Sequence, residues 1–547
     1  MHDGGHGSSS VQHERLEEYE QGRDDDDTAG KEPERADTNG TSTLPSISTA
    51  EKAQDVEKGP IVSTASLEFQ YVDFEPNDPR NPVNFSRRRK WVITFVASIF
   101  TILSSMAAGA YNMGFPSMIR DLNCTEFQAT VGLSVYPLGF GIVPLVTASW
   151  SEEFGRIPLY MGSAVGFSLM LLTIALAKNI QTVIVARFLL GAFGSTGATM
   201  VGGTIADLWA PHERGLPMAL FSVAAIGGTG VGPVFAGWIE MNSNLEWRWI
   251  QWVQLIYSGA YAIILPFLLT ETRSAILLLR LASQKREEAR KNGDPNYHKI
   301  RAKVERPPFG QLIWVSCTRP IYLLCTEPIV IAFSLWIGFA WGVIYGVLES
   351  MATVFKTLHD FNQGQIGMTF VSMIIGTILG FITIRFQERL YTKYYPKRGV
   401  EARLYTACLA AFLLPVGIFI YAWCTFPWVH WIALIIGIVT FEWATFIIYH
   451  SVFTYLADCY GPYASSALAA QSLFRNLTGM AFPLFIQQML KALTLKWANT
   501  LFACIGVVLL PIPYVLYFYG PAIRSRSKFA SAVIATQQLD DHPFSNY

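Results

Sequence analysis

From residue 91 onward, the chain alternates long apolar runs with short polar segments. A membrane-spanning helix needs roughly 20 apolar residues, and suitable runs lie near residues 91–113, 129–150, 159–177, 182–206, 217–239 and 248–269. A polar interval follows at 271–326, and further runs lie near 328–351, 366–385, 404–424, 429–457, 465–489 and 499–519. The pattern predicts an all-α membrane protein with 12 transmembrane helices, arranged as two six-helix bundles.

The first 80 residues have a different character. They hold 19 acidic and 7 basic residues, a net charge of −12, so the rest of the formally neutral chain carries +12. Because this segment has almost no apolar periodicity, it cannot bury enough surface to offset its conformational entropy. The sequence therefore predicts a disordered acidic tail at 1–80, helical bundles at 81–270 and 327–520, a basic central loop at 271–326 and a C-terminal tail at 521–547.

Composition and missing motifs narrow the function. The chain is 51% hydrophobic and 15% charged, with a mean hydropathy of +0.30, which is not the composition of a soluble protein. It contains no phosphate-binding GxxxxGK[ST] loop, no HExxH or GxSxG motif and no CxxC pair. We therefore expect no enzymatic activity, no cofactor, no metal and no nucleic-acid partner, and a monomer that works on ion gradients.

The basic residues predict the orientation in the membrane. Arg87 to Lys90 precede the first run, and the interval 271–326 holds 11 basic against 5 acidic residues. Short loops rich in Lys and Arg remain on the cytoplasmic side, so both termini are predicted to be cytoplasmic. Two sets of six helices about a basic loop are typical of a duplicated transporter with its substrate path between the halves. A twelve-span enzyme or receptor is the alternative from topology alone.

Three motifs in the first half are candidates for conformational control. Glu152, Gly155 and Arg156 lie in the turn after the second run, where a carboxylate could meet a helix N-terminus or an arginine in one state only. A solvated turn would look similar. Arg187 lies well inside the fourth run, where a charge is costly unless it faces a cavity or a partner.

The fifth run carries a stripe of small residues. Gly228 and Gly232 are four positions apart, which lets another backbone approach closely, and Pro233 weakens the helix at the same place. Ordinary small-residue packing is the alternative interpretation.

Taken in order, these motifs resemble the major facilitator superfamily, and specifically its fungal group of drug:proton antiporters with twelve spans. The resemblance covers roughly residues 78–530 and includes Asp78 to Ser86, Ser151 with Glu152, Gly155 with Arg156, Arg187 with Gly191, Gly202 to Asp207, Pro211 to Gly215 with Arg214, Gly232 with Pro233, Trp247 to Trp249, and Asp458 in the second half. It implies proton-coupled export by alternating access. Ile157 stands where the family's loop motif has a second cation, so the charge balance of that loop differs.

A proton-coupled transporter needs a titratable group in its cavity. Glu442 lies in the middle of the tenth run and His450 follows two helical turns later, while Glu349 lies near the outer end of the seventh run beside Tyr345. Glu442 could instead form a buried structural pair with Arg475, and His450 could simply be hydrogen-bonded. Asp458 is predicted at the cytoplasmic rim, in a capping or latch role.

The sequence thus predicts a multi-pass carrier, in the plasma membrane, that exchanges protons for an outgoing small organic molecule. The many aromatic residues in the spans favour large apolar or cationic cargo over sugars. The alternatives are an exporter dedicated to one secreted metabolite or organic acid, and a transporter-like sensor that signals through its acidic tail. Asn123 begins an acceptor sequon for glycosylation on the predicted outer side.

Overall fold

The computed structural model describes residues 69–210, 213–304 and 308–531. The first part of this range contains the helices α1 (Arg87–Ala110), α2 (Phe115–Leu122), α3 (Glu126–Ile142), α4 (Pro144–Phe154), α5 (Arg156–Ala175), α6 (Ile180–Leu208), α7 (Gly215–Met241) and α8 (Glu246–Leu268). The central interval forms α9 (Ser274–Lys291) and α10 (Phe309–Thr326). The last part contains α11 (Pro328–His359), α12 (Gln363–Thr369), α13 (Val371–Arg398), α14 (Tyr405–Trp423), α15 (Trp431–Tyr460), α16 (Ala464–Leu509) and α17 (Pro511–Arg526).

Local sequence signals set several of these boundaries. The Thr125 side chain accepts a hydrogen bond from the Gln128 N–H, and the Gln128 side chain accepts one from the Thr125 N–H, which forms a capping box at the start of α3. Asn179 caps α6 in a similar way. Gly155 separates α4 from α5 with a φ of 93°, which a residue with a side chain rarely adopts.

Each of the predicted apolar runs coincides with helix, which confirms the all-α prediction. By length and composition, eight helical segments of the described residues could cross a membrane, or nine if α3 and α4, bent by 43°, form one span. Two of these segments, Gln363–Trp423 with 61 residues and Trp431–Arg526 with 96, are far longer than one crossing requires. Within the second, α16 is interrupted at Thr494, whose φ is 65°.

The helices have two distinguishable ends. Trp91 at the start of α1 contacts Trp209 just after α6, and the α4–α5 turn contacts Glu271 just after α8. Gly215 at the start of α7 meets Glu388 in the last part of α13. We call this end, which includes Arg87 to Lys90, the basic end of the bundle, and the end at which α3 begins the opposite end.

Helix α7 has glycines on two faces. Gly228 and Gly232 lie against α1, and a Cβ atom at Gly232 would be only 2.3 Å from the Met106 carbonyl oxygen. Gly230 and Gly237 lie against the α12–α13 segment, and a Cβ at Gly237 would be 2.5 Å from the Gln363 carbonyl oxygen. The close approach expected from the glycine stripe thus occurs within the first set of helices, and a second one joins the two sets.

The tail and the central loop differ from the prediction where the structure describes them. Residues 1–68 and 532–547 of the predicted tails lie outside the described residues. Within the rest, Gln70–Val72 forms β1, which pairs in parallel with β2 (Ile300–Ala302) of the central interval. Val72 and Ile300 pack with Leu281 of α9 in a small apolar cluster, so this part of the tail gains the apolar burial that its own sequence lacks.

Candidate functional site

Arg187 is buried in α6 without an acidic partner among the described residues. Its Nε atom donates to the Gly132 carbonyl oxygen at 3.2 Å, and Nη1 donates to the Ala107 carbonyl oxygen at 3.0 Å. The guanidinium lies between the rings of Tyr111 and Tyr136, at 4.2 and 4.5 Å from their centroids. Its Nη2 atom has no hydrogen-bond partner in the part of the chain that the structure describes. Two carbonyl dipoles and two aromatic faces therefore stabilise the charge, and one donor stays free.

Arg475 in α16 has a similar environment in the second set of helices. Its guanidinium lies 4.4 Å from the Trp341 ring centroid and 5.1 Å from that of Tyr449. Nη2 donates to Ser472 Oγ at 3.3 Å, whereas Nε and Nη1 have no partner among the described residues. Each half thus holds one arginine stacked on two aromatic rings.

Tyr345 lies beside Arg475 in the second set of helices. It is buried in α11, one helical turn after Trp341, on which Arg475 stacks. A Cβ atom at Gly479 in α16 would touch the Tyr345 ring at 3.1 Å, so the absence of a side chain there makes room for the phenol. Tyr345 and Arg475 are therefore brought close together, whereas Arg187 lies in the first set of helices.

Glu349 forms a polar bridge between the two sets. Thr130 Oγ1 of α3 donates to Glu349 Oε1 at 2.7 Å, and Gln487 Nε2 of α16 donates to the same oxygen at 3.4 Å. The other carboxylate oxygen is buried without a partner. A pocket of about 240 Å³ between α3 and α16 is lined by Thr130 and Gln487 themselves, so Glu349 lies directly behind its wall.

Glu442 is the most isolated carboxyl group of the described residues. It is 0% exposed in the middle of α15, and neither carboxylate oxygen has a hydrogen-bond partner. A Cβ atom at Gly376 of α13 would lie 2.7 Å from the Glu442 Cβ, so the glycine admits the side chain between the two helices. The structure shows no ion pair between Glu442 and Arg475, the pairing considered as the alternative. His450 faces the basic end instead, with Nε2 at 4.0 Å from Glu388 Oε1.

The turn between α4 and α5 holds a network of charged groups at the basic end. Arg156 Nε donates to Asp207 Oδ2 at 3.2 Å, which joins the start of α5 to the end of α6. The Arg156 N–H donates to both oxygens of Glu271 at 3.1 Å, and the Gly155 φ of 93° allows this approach. Arg273 lies 3.8 Å from Asp207 and 3.9 Å from Glu152.

Glu271 is the residue of this network that the motif did not reveal. A carboxylate of the turn was expected to meet a helix N-terminus or an arginine of the other half. Glu152 lies near an arginine, Arg273 of the central interval, whereas Glu271, from the segment after α8, accepts from the N–H groups at the start of α5. The only local signal is an acidic residue directly after the sixth apolar run, next to Arg273.

Arg214, one of the residues that carry the family resemblance, caps a helix in this structure. Its Nε donates to the Trp209 carbonyl oxygen and its Nη2 to the Ala206 carbonyl oxygen, both at 2.8 Å. These carbonyls lie at the end of α6, where helical acceptors have no intrahelical donor. Arg214 thus satisfies the C-terminus of α6.

The second set of helices has a comparable network without the glycine-arginine motif. Arg403, just before α14, donates to Asp458 Oδ2 at the end of α15 and to Glu388 Oε1, each at 2.9 Å. Glu401 accepts two hydrogen bonds from Arg524 at 2.9 Å. In the first half, the acidic Glu271 follows the last helix and binds the turn between α4 and α5. In the second half, the basic Arg524 lies in the last helix and binds Glu401 in the loop before α14. Each half therefore anchors a loop through a charged residue at or after its last helix, acidic in the first half and basic in the second.

Removing the carboxylate of Glu271 is expected to destabilise the basic end. Glu271→Ala takes away the acceptor for the first N–H groups of α5, a loss of about 0.5–2 kcal/mol for a helix cap. Glu287→Ala in α9 is the matched control, because its ion pair with Lys291 is exposed and worth only about 0.3–0.5 kcal/mol. Thermal unfolding of the purified protein should show a lower transition temperature for Glu271→Ala than for Glu287→Ala. Equal transition temperatures would contradict the capping role.

Asn123 lies in the short loop between α2 and α3 at the opposite end. Its backbone has a φ of 47°, which ends α2 in a left-handed cap, and its side chain is exposed. The sequon is therefore accessible where the sequence predicts the outer side.

Comparisons with known proteins agree with the motif pattern. Residues 97–483 match the family model described as Major Facilitator Superfamily. A citrinin biosynthesis cluster MFS transporter of Monascus ruber is 32% identical, over 88% of this chain and 96% of its own length. An MFS-type efflux pump of Trichophyton rubrum is 33% identical, over 85% of this chain and 78% of its own length. The proton:xylose symporter XylE has a similar fold, with a TM-score of 0.56 at 17% identity over 80% of this chain and 96% of the symporter.

Proposed function

Since this chain belongs to the Major Facilitator Superfamily and is a multi-pass membrane transporter, we propose that it exports small organic molecules in exchange for protons. Its relatives include proteins named as efflux pumps and a transporter of a biosynthesis cluster, which supports export. We place it in the plasma membrane, where exported molecules leave the cell.

Twelve transmembrane helices are part of this proposal. The spans are α1, α3 with α4, α5, α6, α7 and α8 in the first half, and α11, α12 with α13, α14, α15, the part of α16 before Thr494, and the rest of α16 with α17 in the second half. The basic end is cytoplasmic, because Arg87 to Lys90 and the basic central interval lie there. Both termini are then on the cytoplasmic side.

The substrate path runs between the two sets of helices. The observation that carries this proposal is that each half holds one buried arginine stacked on two aromatic rings, Arg187 in the first half and Arg475 in the second. Charges inside a membrane protein are costly and mark the route of a substrate or ion. Nearby, Glu349 is shared by α3 and α16 through Thr130 and Gln487. Separation of the halves would break this bridge and expose the carboxylate.

Contacts at both ends favour a closed state between the two open ones. At the opposite end, Gln363 Nε2 donates to the Met113 carbonyl oxygen at 2.9 Å. At the basic end, Ser149 donates to the Leu312 carbonyl oxygen at 3.3 Å, and Phe154 packs on Phe309 at 5.7 Å between ring centroids. Export would open the two sets of contacts alternately.

Proton coupling is assigned to Glu442 and Glu349, with His450 and Glu388 on the exit route to the basic end. A carboxyl group without a partner in a closed, dry site is costly in its ionised form. Opening to water removes that cost, so proton uptake and release can follow the conformational change. Arg156 with Asp207 and Arg403 with Asp458 each fix the helix ends of their own half, while the contact between Gly215 of α7 and Glu388 of α13 holds the two halves together at the basic end in this scheme.

Flux driven by a pH gradient tests the proposal. The full chain is reconstituted in liposomes, and transport of a panel of labelled aromatic acids, neutral drugs and rhodamine 6G is followed with and without an imposed gradient. Uphill movement of at least one compound, abolished by a protonophore, is expected. Equal movement with and without the gradient for every compound would contradict proton coupling.

A dedicated exporter of one metabolite is the alternative, and the similarity to a citrinin biosynthesis cluster transporter favours it specifically. Untargeted mass spectrometry of the source organism, with the gene deleted, separates the two. One metabolite retained in the cells, with unchanged drug resistance, identifies a dedicated exporter. Sensitivity to several unrelated drugs, with a normal metabolite profile, identifies a multidrug pump.

A further inference from the structure

Three neighbouring side chains in the second half carry buried polar atoms without a hydrogen-bond partner among the described residues. They are Nε and Nη1 of Arg475, Nε1 of Trp341, and both amide atoms of Gln471. The Trp341 ring lies beneath the Arg475 guanidinium, and Gln471 precedes Arg475 by one helical turn, so both share its surroundings. Buried polar groups normally have partners. This cluster therefore requires a partner that the described chain does not supply.

Four of these five unpartnered atoms are donors, and only Gln471 Oε1 is an acceptor, so the main missing partner is an acceptor. Guanidinium and indole N–H groups can only donate hydrogen bonds, and the Gln471 amide can donate as well. Arg475 also carries a full positive charge, 4% exposed, with a serine hydroxyl as its hydrogen-bond acceptor. A buried charge without a counter-charge costs several kcal/mol. An anion would satisfy the donors and the charge together, with the fork of Arg475 suited to the two oxygens of a carboxylate.

The aromatic rings around Arg187 and Arg475 do not provide a site for a cation. Aromatic faces attract cations, which is why the sequence favours cationic cargo. In the structure, however, the faces of Trp341 and Tyr449 are occupied by Arg475, and those of Tyr111 and Tyr136 by Arg187. A cationic cargo would have to displace these arginines or approach them against charge repulsion.

We propose that the cargo is a small organic acid whose carboxylate is bound by Arg475, Trp341 Nε1 and Gln471. The free Nη2 of Arg187 offers a further donor to the same molecule from the first half. The inference rests on the proposed export function, because it names the cargo class of the same site. Since each half contributes an arginine, the anion links the halves and favours their closure.

Binding to matched pairs of acids and methyl esters tests this assignment. The purified full chain is titrated with benzoic, cinnamic and 1-naphthoic acids and with their methyl esters, and binding is measured by isothermal titration calorimetry. At least one acid should bind more than tenfold more tightly than its ester. Arg475→Gln should remove that preference and leave the ester affinity within twofold of its original value. Arg475→Lys should retain an intermediate preference, because it keeps the charge but loses the fork.

Arg248→Gln is the matched control, because Arg248 also stacks on a tryptophan but donates to the carbonyl oxygens of Ala175 and Ala177. It should leave the acid preference unchanged. Equal affinities of acid and ester across the panel, or equal weakening of both by Arg475→Gln, would overturn the inference. If acids do not bind selectively but a pH gradient drives transport of neutral or cationic compounds, the export function is supported and the anion site is refuted. Selective binding of acids without gradient-driven flux supports the anion site and rejects proton coupling.

Discussion

Gly232→Leu is expected to eliminate most of the folded protein. A Cβ at this position would lie 2.3 Å from the Met106 carbonyl oxygen and 2.9 Å from the Ala110 nitrogen, and both are backbone atoms of a continuous helix. From the other side, a Cβ at Gly109 would be 2.1 Å from the Thr229 carbonyl oxygen. Overpacking usually destabilises by about 1–3 kcal/mol, and a clash with backbone belongs at the upper end of that range or beyond. Size-exclusion chromatography of a fluorescent fusion should show loss of the monodisperse peak.

Gly162→Leu provides the matched control. Gly162 also lies within a helix of the first half, α5, but nothing lies within 4 Å of a Cβ atom built there. The same change of residue should therefore leave the peak intact and can stabilise α5, since leucine is the better helix former. A Gly232→Leu protein that elutes and transports normally would contradict the α1–α7 contact.

The helices could be predicted because their signal is local. An apolar run of about 20 residues needs a helix to satisfy its backbone inside a membrane, whatever its neighbours are. This reasoning is least reliable for the positions of bends and breaks. Helix α3 continues through Pro137. Helix α16 is interrupted at Thr494, where the sequence has neither glycine nor proline to indicate a break. Positions of bends depend on packing and on the following segments.

The ion networks could be predicted only in part, because their partners are far apart in sequence. The motif around Arg156 indicated a charged turn, but its contact with Glu271 spans 115 residues. The Arg403 contact with Asp458 spans 55 residues and lacks the glycine-arginine signature. The strand at Gln70–Val72 was missed for the same reason, since its partner lies in the central interval.

The buried charged residues within the helices could be singled out from the sequence, but their surroundings could not. Their cost in a membrane was sufficient to single out Arg187, Glu349 and Glu442 from the sequence. The same argument could not foresee that aromatic rings would surround the arginines, because those rings come from different helices. The pairing of Arg187 with Tyr111 and of Arg475 with Trp341 depends on how the helices assemble.

Glu442→Gln is expected to uncouple transport from the pH gradient. The substitution keeps the size of the side chain and removes its ability to ionise, at a site that is 0% exposed and faces Gly376 without hydrogen-bond partners. Because no ion pair is lost, abundance and chromatographic behaviour should stay near those of the original protein. In liposomes, uphill flux should fall more than tenfold, whereas exchange of cargo across the membrane without a gradient should persist. The dependence of the flux on pH should flatten, because the group whose protonation follows the conformational cycle is gone.

Glu287→Gln is the control for charge removal as such. Glu287 is exposed in α9 of the central interval, and its neutralisation changes the net charge by the same amount. Gradient-driven flux of this variant should equal that of the original protein over the whole pH range. If Glu442→Gln also keeps its flux at every pH, Glu442 has no part in coupling, and Glu349, which has one free carboxylate oxygen and contacts both halves, becomes the sole carboxyl group left for that role in the proposed scheme.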